Sequence, residues 1–176
     1  MKQMLLLSFI IGFALNVSAQ KIKEREIDKF TKLETISTSV ETLYTRSTFL
    51  GSGKYQFKFY IRKRGEQSYT IFAKISTPEC EKYDDSSGIS LLLSNGDVIK
   101  LRTSYTGVSG LEYISSSSKI YTFETAFILS KEDVLKLKEF DITDVRVTTM
   151  DSYHDQELMN KKRSIIKRML IMLDDE

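Results

Sequence analysis

The sequence predicts a mainly β or α+β domain: an antiparallel sheet or two-layer sandwich, with a short inserted helix and a C-terminal helix packed on one face. Three observations predict it. Apolar residues recur at every second position in runs such as KYQFKFYIR and QSYTIFAKI, the period of a half-buried strand. An Asn95-Gly96 pair joins two apolar runs, and both residues tolerate the positive φ of a tight hairpin turn. From Ser152 onward the apolar spacing changes to that of a helix.

The elements follow in order. TISTSVETLY reads as one strand in which Ile36, Thr38, Val40, Thr42 and Tyr44 alternate. LGSGKYQF opens with a turn. Tyr55, Phe57, Phe59 and Ile61 then share one face of a strand, and Gln56, Lys58, Tyr60 and Arg62 the other. KRGE turns the chain into a second strand carrying Tyr69, Ile71, Ala73 and Ile75 on one face. In LLLSNGDVIKL a two-residue turn at Asn95-Gly96 sets Leu93 opposite Val98 and Leu92 opposite Ile99. Both faces of that hairpin are then apolar, so it is expected to be covered on two sides. Tyr121, Phe123, Phe127 and Leu129 mark another strand. Ser130 and Asp133 make an acidic capping box for a short helix with Val134, Leu135 and Leu137. Val145 and Val147 share one face of the strand after it. Ser152 and Asp155 resemble a second capping box, for a helix over about 152–173. Its stripe of Leu158, Ile165, Met169, Leu170 and Leu173 suits a lid on a sheet.

The chain opens MKQMLLLSFIIGFALNVSAQ. A short positive start, an apolar run below the roughly 20 residues of a membrane-spanning helix and small residues at Val17 and Ala19 predict a signal peptide over residues 1–19. Cleavage is expected between Ala19 and Gln20, leaving one strand-rich domain over 20–176, secreted or periplasmic and without a transmembrane span. The full chain carries a formal net charge of +2, and loss of Lys2 brings it nearer balance. Such a chain has no long-range field to draw nucleic acid. Cys80 is the only cysteine, so no internal disulfide is possible, and a small buried apolar side chain is the expected role.

The usual catalytic patterns are missing. His154 is the only histidine, too few for a zinc site of the usual kind, and no serine lies in a G-x-S-x-G elbow. His154 is expected as a surface residue in the first turn of the last helix. Thr48 and Tyr55 stand where a phosphate-binding loop needs glycine and Ser or Thr. The acidic stretch ECEKYDD reads as a solvated loop, and no cofactor is called for. The binding candidates are Tyr105 and Tyr113, in the Gly- and Ser-rich stretch TSYTGVSGLEYISSSS. Tyrosines on loops at one end of a β scaffold are a common means of contacting sugars or proteins.

The VSAQ site, IDKFTKLETISTS, the LLLSNGDVIKL hairpin and FILSKEDVLKLKEFDITDVRV together give the chain a layout that resembles small secreted proteins of unknown function from Bacteroidetes-type bacteria. The resemblance brings no activity, ligand or catalytic residue. The expected function is an exported, non-enzymatic binding or accessory protein with a protein or glycan ligand. The alternatives are a small hydrolase using carboxylates, or a docking subunit of an envelope complex that presents Ile165, Met169 and Leu173.

Overall fold

In the computed structural model, residues 21–48, 53–114 and 119–176 are described. The predicted leader, its cleavage site at Ala19 and Gln20, residues 49–52 and the serine run at 115–118 lie outside them.

Among the described residues thirteen strands and three helices follow one another: β1 (Ile22–Ile27), β2 (Glu34–Thr38), β3 (Glu41–Ser47), β4 (Lys54–Arg64), β5 (Ser68–Thr77), β6 (Lys82–Tyr83), β7 (Gly88–Leu93), β8 (Val98–Arg102), β9 (Gly107–Val108), β10 (Gly110–Ile114), β11 (Lys119–Leu129), α1 (Lys131–Glu139), β12 (Ile142–Thr148), β13 (Tyr153–Glu157), α2 (Asn160–Arg163) and α3 (Ile165–Asp174). A seven-stranded sheet runs β1-β2-β4-β5-β11-β10, with β3 also on β4, and a four-stranded sheet runs β13-β12-β7-β8. Every pairing is antiparallel. The inward side chains of both sheets and the apolar faces of α1 and α3 form one core. The predicted class therefore holds: an antiparallel β domain with one short inserted helix and one C-terminal helix.

The core face of the larger sheet follows the alternation read from the sequence. Phe57, Phe59 and Ile61 on β4 lie beside Ile71, Ala73 and Ile75 on β5, and Phe123, Phe127 and Leu129 extend the face onto β11. TISTSVETLY does not form one strand. It breaks at Ser39-Val40, so that β2 and β3 pair with different halves of β4. At the break the Ile61 N–H donates to Thr38 Oγ1 at 3.0 Å, which satisfies a buried amide that has lost its strand neighbour.

The Asn95-Gly96 hairpin pairs one residue out of the predicted register. Leu92 faces Val98 and Leu91 faces Ile99. The loop holds three residues, with the Gly96 N–H donating to Leu93 O at 2.9 Å and Gly96 at φ +92°. A one-residue slip exchanges which side chains share a face. Ile89, Leu91, Leu93, Ile99 and Leu101 all turn into the core, while Val98 is exposed. The hairpin is covered on one side only. At its far end Gly88 faces Arg102, and a Cβ there would lie 2.1 Å from Leu101 O. Gly88→Ala is expected to cost about 2 kcal/mol, read as a lower urea midpoint with an unchanged m-value.

Helix α1 starts as predicted, with Ser130 Oγ accepting from the Asp133 N–H at 3.1 Å and the Ser130 N–H donating back to Asp133 Oδ2 at 3.1 Å. The second predicted capping box does not form, and the helix expected over 152–173 begins at Asn160. Ser152 instead closes a tight turn with Thr149. Asp155 takes both ends of the Arg146 guanidinium at 2.6 Å, an ion pair across neighbouring strands. Residues 153–157 therefore extend the smaller sheet as β13. The apolar stripe of α3 is fully buried: Ile165, Met169 and Leu173 pack within the chain's own core and offer no docking face. The helix rests against β2, β4 and α1 rather than capping the Asn95-Gly96 hairpin.

Candidate functional site

Because the smaller sheet and the helices occupy one face of the larger sheet, its other face is left open. On β4 the alternation that buries Phe57, Phe59 and Ile61 turns Lys58, Tyr60 and Arg62 outward. On β5 it turns Thr70, Phe72 and Lys74 outward, and on β11 Glu124 and Ile128. Tyr60 and Phe72 face each other across the strands, and their rings stack with centroids 5.0 Å apart and planes 8° from parallel. The Arg62 guanidinium lies 4.8 Å from the Phe72 centroid and 5.8 Å from that of Tyr60, within cation–π range.

Lys58, Tyr60, Phe72, Lys74 and Glu124 line a groove of about 530 Å³, with Val40 and Tyr105 at its margins, and Arg62 stands beside it over the Phe72 ring. The side chains of Phe59, Ala73 and Thr125 point into the core, so their backbone forms the floor. Tyr105 is 56% exposed. Its loop is set beside β11 by the Ser104 N–H donating to Ala126 O at 3.1 Å and by the Thr103–Thr125 hydroxyl pair. Lys74 is held by Glu112 at 2.5 Å and Glu124 at 3.9 Å. Lys58 and Arg62 have no ion-pair partner among the described residues, and the Arg62 Nε–H donates only to Ser37 Oγ, at 3.3 Å. The groove thus offers two aromatic rings with Lys58 on one side and Arg62 at its edge on the other, neither in an ion pair among the described residues; Arg62 also lines a separate hollow with Glu24, Glu26 and Asp28.

Of the two tyrosines singled out in the sequence, Tyr105 lies on this groove. Tyr113 falls on edge strand β10, paired with Ile120, and its side chain lies outside the described residues. Tyr60, Phe72, Lys58 and Arg62 were legible only as the wet face of a strand. The signal that could have found them is the aromatic residue on that wet side of both β4 and β5.

A second cluster lies between the sheets. Glu81 is expected from sequence in a solvated acidic loop, but it is buried. Its segment is fixed by the Glu81 N–H donating to Ser109 Oγ at 2.8 Å and by the Met150 N–H donating to Lys82 O at 2.9 Å. Oε1 of Glu81 lies 3.0 Å from His154 Nε2, while Oε2 accepts from Thr149 Oγ1 at 3.0 Å and Ser152 Oγ at 3.2 Å. His154 is therefore a half-buried residue of β13, facing inward opposite Val147, and not a surface residue of a helix. Its ring also lies 4.7 Å from that of Tyr55. A nucleophilic serine needs the imidazole on its hydroxyl. Here the carboxylate stands between the imidazole and the hydroxyls, so the cluster joins the 79–83 segment to the β12–β13 turn. The signal for it was alternation in CEKY, which places Glu81 on the same side as the buried Tyr83.

Tyr83 stacks on Phe123 with centroids 3.9 Å apart. Burial, then the nearby Glu81 charge, push its phenol well above the usual tyrosine value, and its hydroxyl has no hydrogen-bond partner among the described residues. Tyr83→Phe removes an unsatisfied buried group and is expected to raise stability by about 1 kcal/mol, measured by urea denaturation. Cys80, expected to be buried, is exposed, with its thiol 3.7 Å from Ser109 O. No group of three or more metal-ligating side chains is gathered among the described residues.

No family model, curated protein or solved structure matches this chain.

Proposed function

We propose that the protein is exported and acts by binding an acidic glycan along the open face of β4 and β5, without catalysing a reaction on it. The observation that carries this reading is the stacked Tyr60–Phe72 pair between Lys58 and Arg62, with Tyr105 on the margin. Aromatic rings suit the C–H faces of sugar rings. Two cations outside any ion pair among the described residues suit carboxylates spaced along a chain. An open groove admits an extended polymer where a closed pocket would admit only a small molecule. The reading of export rests on the apolar leader ending at Ala19 and on the resemblance to small secreted proteins.

Retention on an immobilised polyuronate tests this directly. The protein is expected to be held at low ionic strength and released by salt, since screening weakens contacts between exposed charges. Passage through that matrix without delay, at the same rate as through a neutral polysaccharide, contradicts it.

A further inference from the structure

The turn joining β1 to β2 is built to hold a phenylalanine in the open. Asp28 Oδ1 accepts from the N–H groups of Phe30 at 2.9 Å and Thr31 at 2.7 Å. The Lys32 N–H donates to Asp28 O at 2.8 Å, the Asp28 N–H to Leu33 O at 3.0 Å, and the Leu33 N–H to Thr31 Oγ1 at 3.4 Å. Lys32 completes the turn at φ +58°, a left-handed conformation uncommon for a residue other than glycine. At the apex Phe30 is 85% exposed, with Ile27 at 62% and Leu33 at 42% behind it. Scattered single apolar side chains are ordinary on a surface, but three on one projecting turn are not.

Lys29 and Lys32 flank the apex, while Glu26 and Glu34 stand on the strands behind it, next to Ile27 and Leu33. The Lys29 ammonium lies 5.5 Å from the Phe30 centroid, and neither Lys29 nor Lys32 has an ion-pair partner among the described residues. The acid of the turn, Asp28, faces back onto the amides of Phe30 and Thr31 and is held below its usual pKa by those bonds.

We propose that this hairpin tip is a membrane-contact wedge, which seats Phe30 in the interface of a bilayer bearing anionic headgroups. Three features favour a lipid surface over a protein pocket. The apex is convex and carries apolar side chains behind as well as at the tip. The amides of Asp28, Phe30, Thr31, Lys32 and Leu33 already have acceptors within the turn, and within 28–33 Lys29 alone lacks one among the described residues, so the turn enters an interface with one amide left to the headgroups. The two lysines can lay their stems along the apolar tip while their ammonium groups reach the headgroups.

The chain has no tryptophan, so Phe30→Trp in the full chain reports on this position alone. Its emission is expected to move to the blue with phosphatidylcholine vesicles containing phosphatidylglycerol, and less with phosphatidylcholine alone. In co-sedimentation, Phe30→Ser should lower the partition coefficient roughly tenfold to a hundredfold. Lys29→Gln and Lys32→Gln should each lower it about fivefold on the anionic vesicles only. Because Phe30 is exposed, the Phe30→Ser thermal midpoint should match the parent's. Unchanged Trp emission overturns the proposal. So does Phe30→Ser sedimenting like the parent, which is the outcome if residues 1–19 carry the lipid binding. Phe30-dependent pairing with a second protein, without vesicle binding, also overturns it.

Discussion

Glu81→Ala is expected to destabilise the fold by about 3 kcal/mol and to lower Tm by roughly 6–12 °C. The carboxylate has a polar partner on each side: the His154 imidazole at one oxygen, the Thr149 and Ser152 hydroxyls at the other. Its removal takes the acceptor from the half-buried ring nitrogen of His154 and from two hydroxyls that then keep only each other, at 2.9 Å, and Ser152 O, at 3.2 Å from Thr149 Oγ1, in a region where water is largely excluded. Each such loss carries a desolvation penalty rather than the small net worth of one hydrogen bond. The effect should propagate, because this side chain and the Met150 N–H bond to Lys82 O at 2.9 Å together join the 79–83 segment to the β12–β13 turn. Glu81→Gln keeps the shape and one carbonyl acceptor, so it should fall between parent and alanine variant. Urea unfolding followed by far-UV circular dichroism gives the comparison. A Glu81→Ala midpoint equal to the parent's would mean that the contacts around His154 do not hold the two parts together.

The second large effect is on binding. Tyr60→Ala combined with Phe72→Ala is expected to weaken affinity for an acidic oligosaccharide roughly a hundredfold, as loss of a central aromatic anchor does in other interfaces. The two rings stand on the solvent side of β4 and β5 and contribute little to the core, so Tm should change far less than for Glu81→Ala. Lys58→Ala with Arg62→Ala should act differently. It should remove most of the salt dependence of binding while leaving contacts to the sugar rings in place. Binding that persists in the aromatic double variant would place the ligand elsewhere on the molecule.

The parts of the fold that could be read from sequence were those where one face is buried and the other wet. The alternation of Phe57, Phe59 and Ile61 against Lys58, Tyr60 and Arg62 located β4 and both of its faces. Ser130 and Asp133 located the start of α1. Two misreadings share a cause, which is that local patterns leave tertiary pairing open. LLLSNGDVIKL accepts either a two-residue or a three-residue loop, and the one-residue difference decides whether Ile99 faces Leu92 or Leu91. SYHDQE carries a capping-box spacing at Ser152 and Asp155, but Arg146 on the neighbouring strand claims Asp155 and Val147 pairs with His154. The groove was half legible. Tyr105 stood out as a loop tyrosine, whereas the stacked pair beside it exists only once β4 and β5 are in register. Glu81 was hidden by its acidic neighbours, since composition alone says solvated loop and only the fold turns that side chain inward.

Recognition of an acidic sugar chain by the open face of the larger sheet, as proposed, predicts a preference that calorimetry can read. Isothermal titration calorimetry of an oligouronate, against a neutral oligosaccharide of the same length, tests it most directly. The expected result is saturable binding of the acidic chain by the parent, weakened by salt, and lost in the Tyr60→Ala/Phe72→Ala variant although that variant remains folded. Equal binding of both oligosaccharides, or the same affinity in parent and variant, would contradict it.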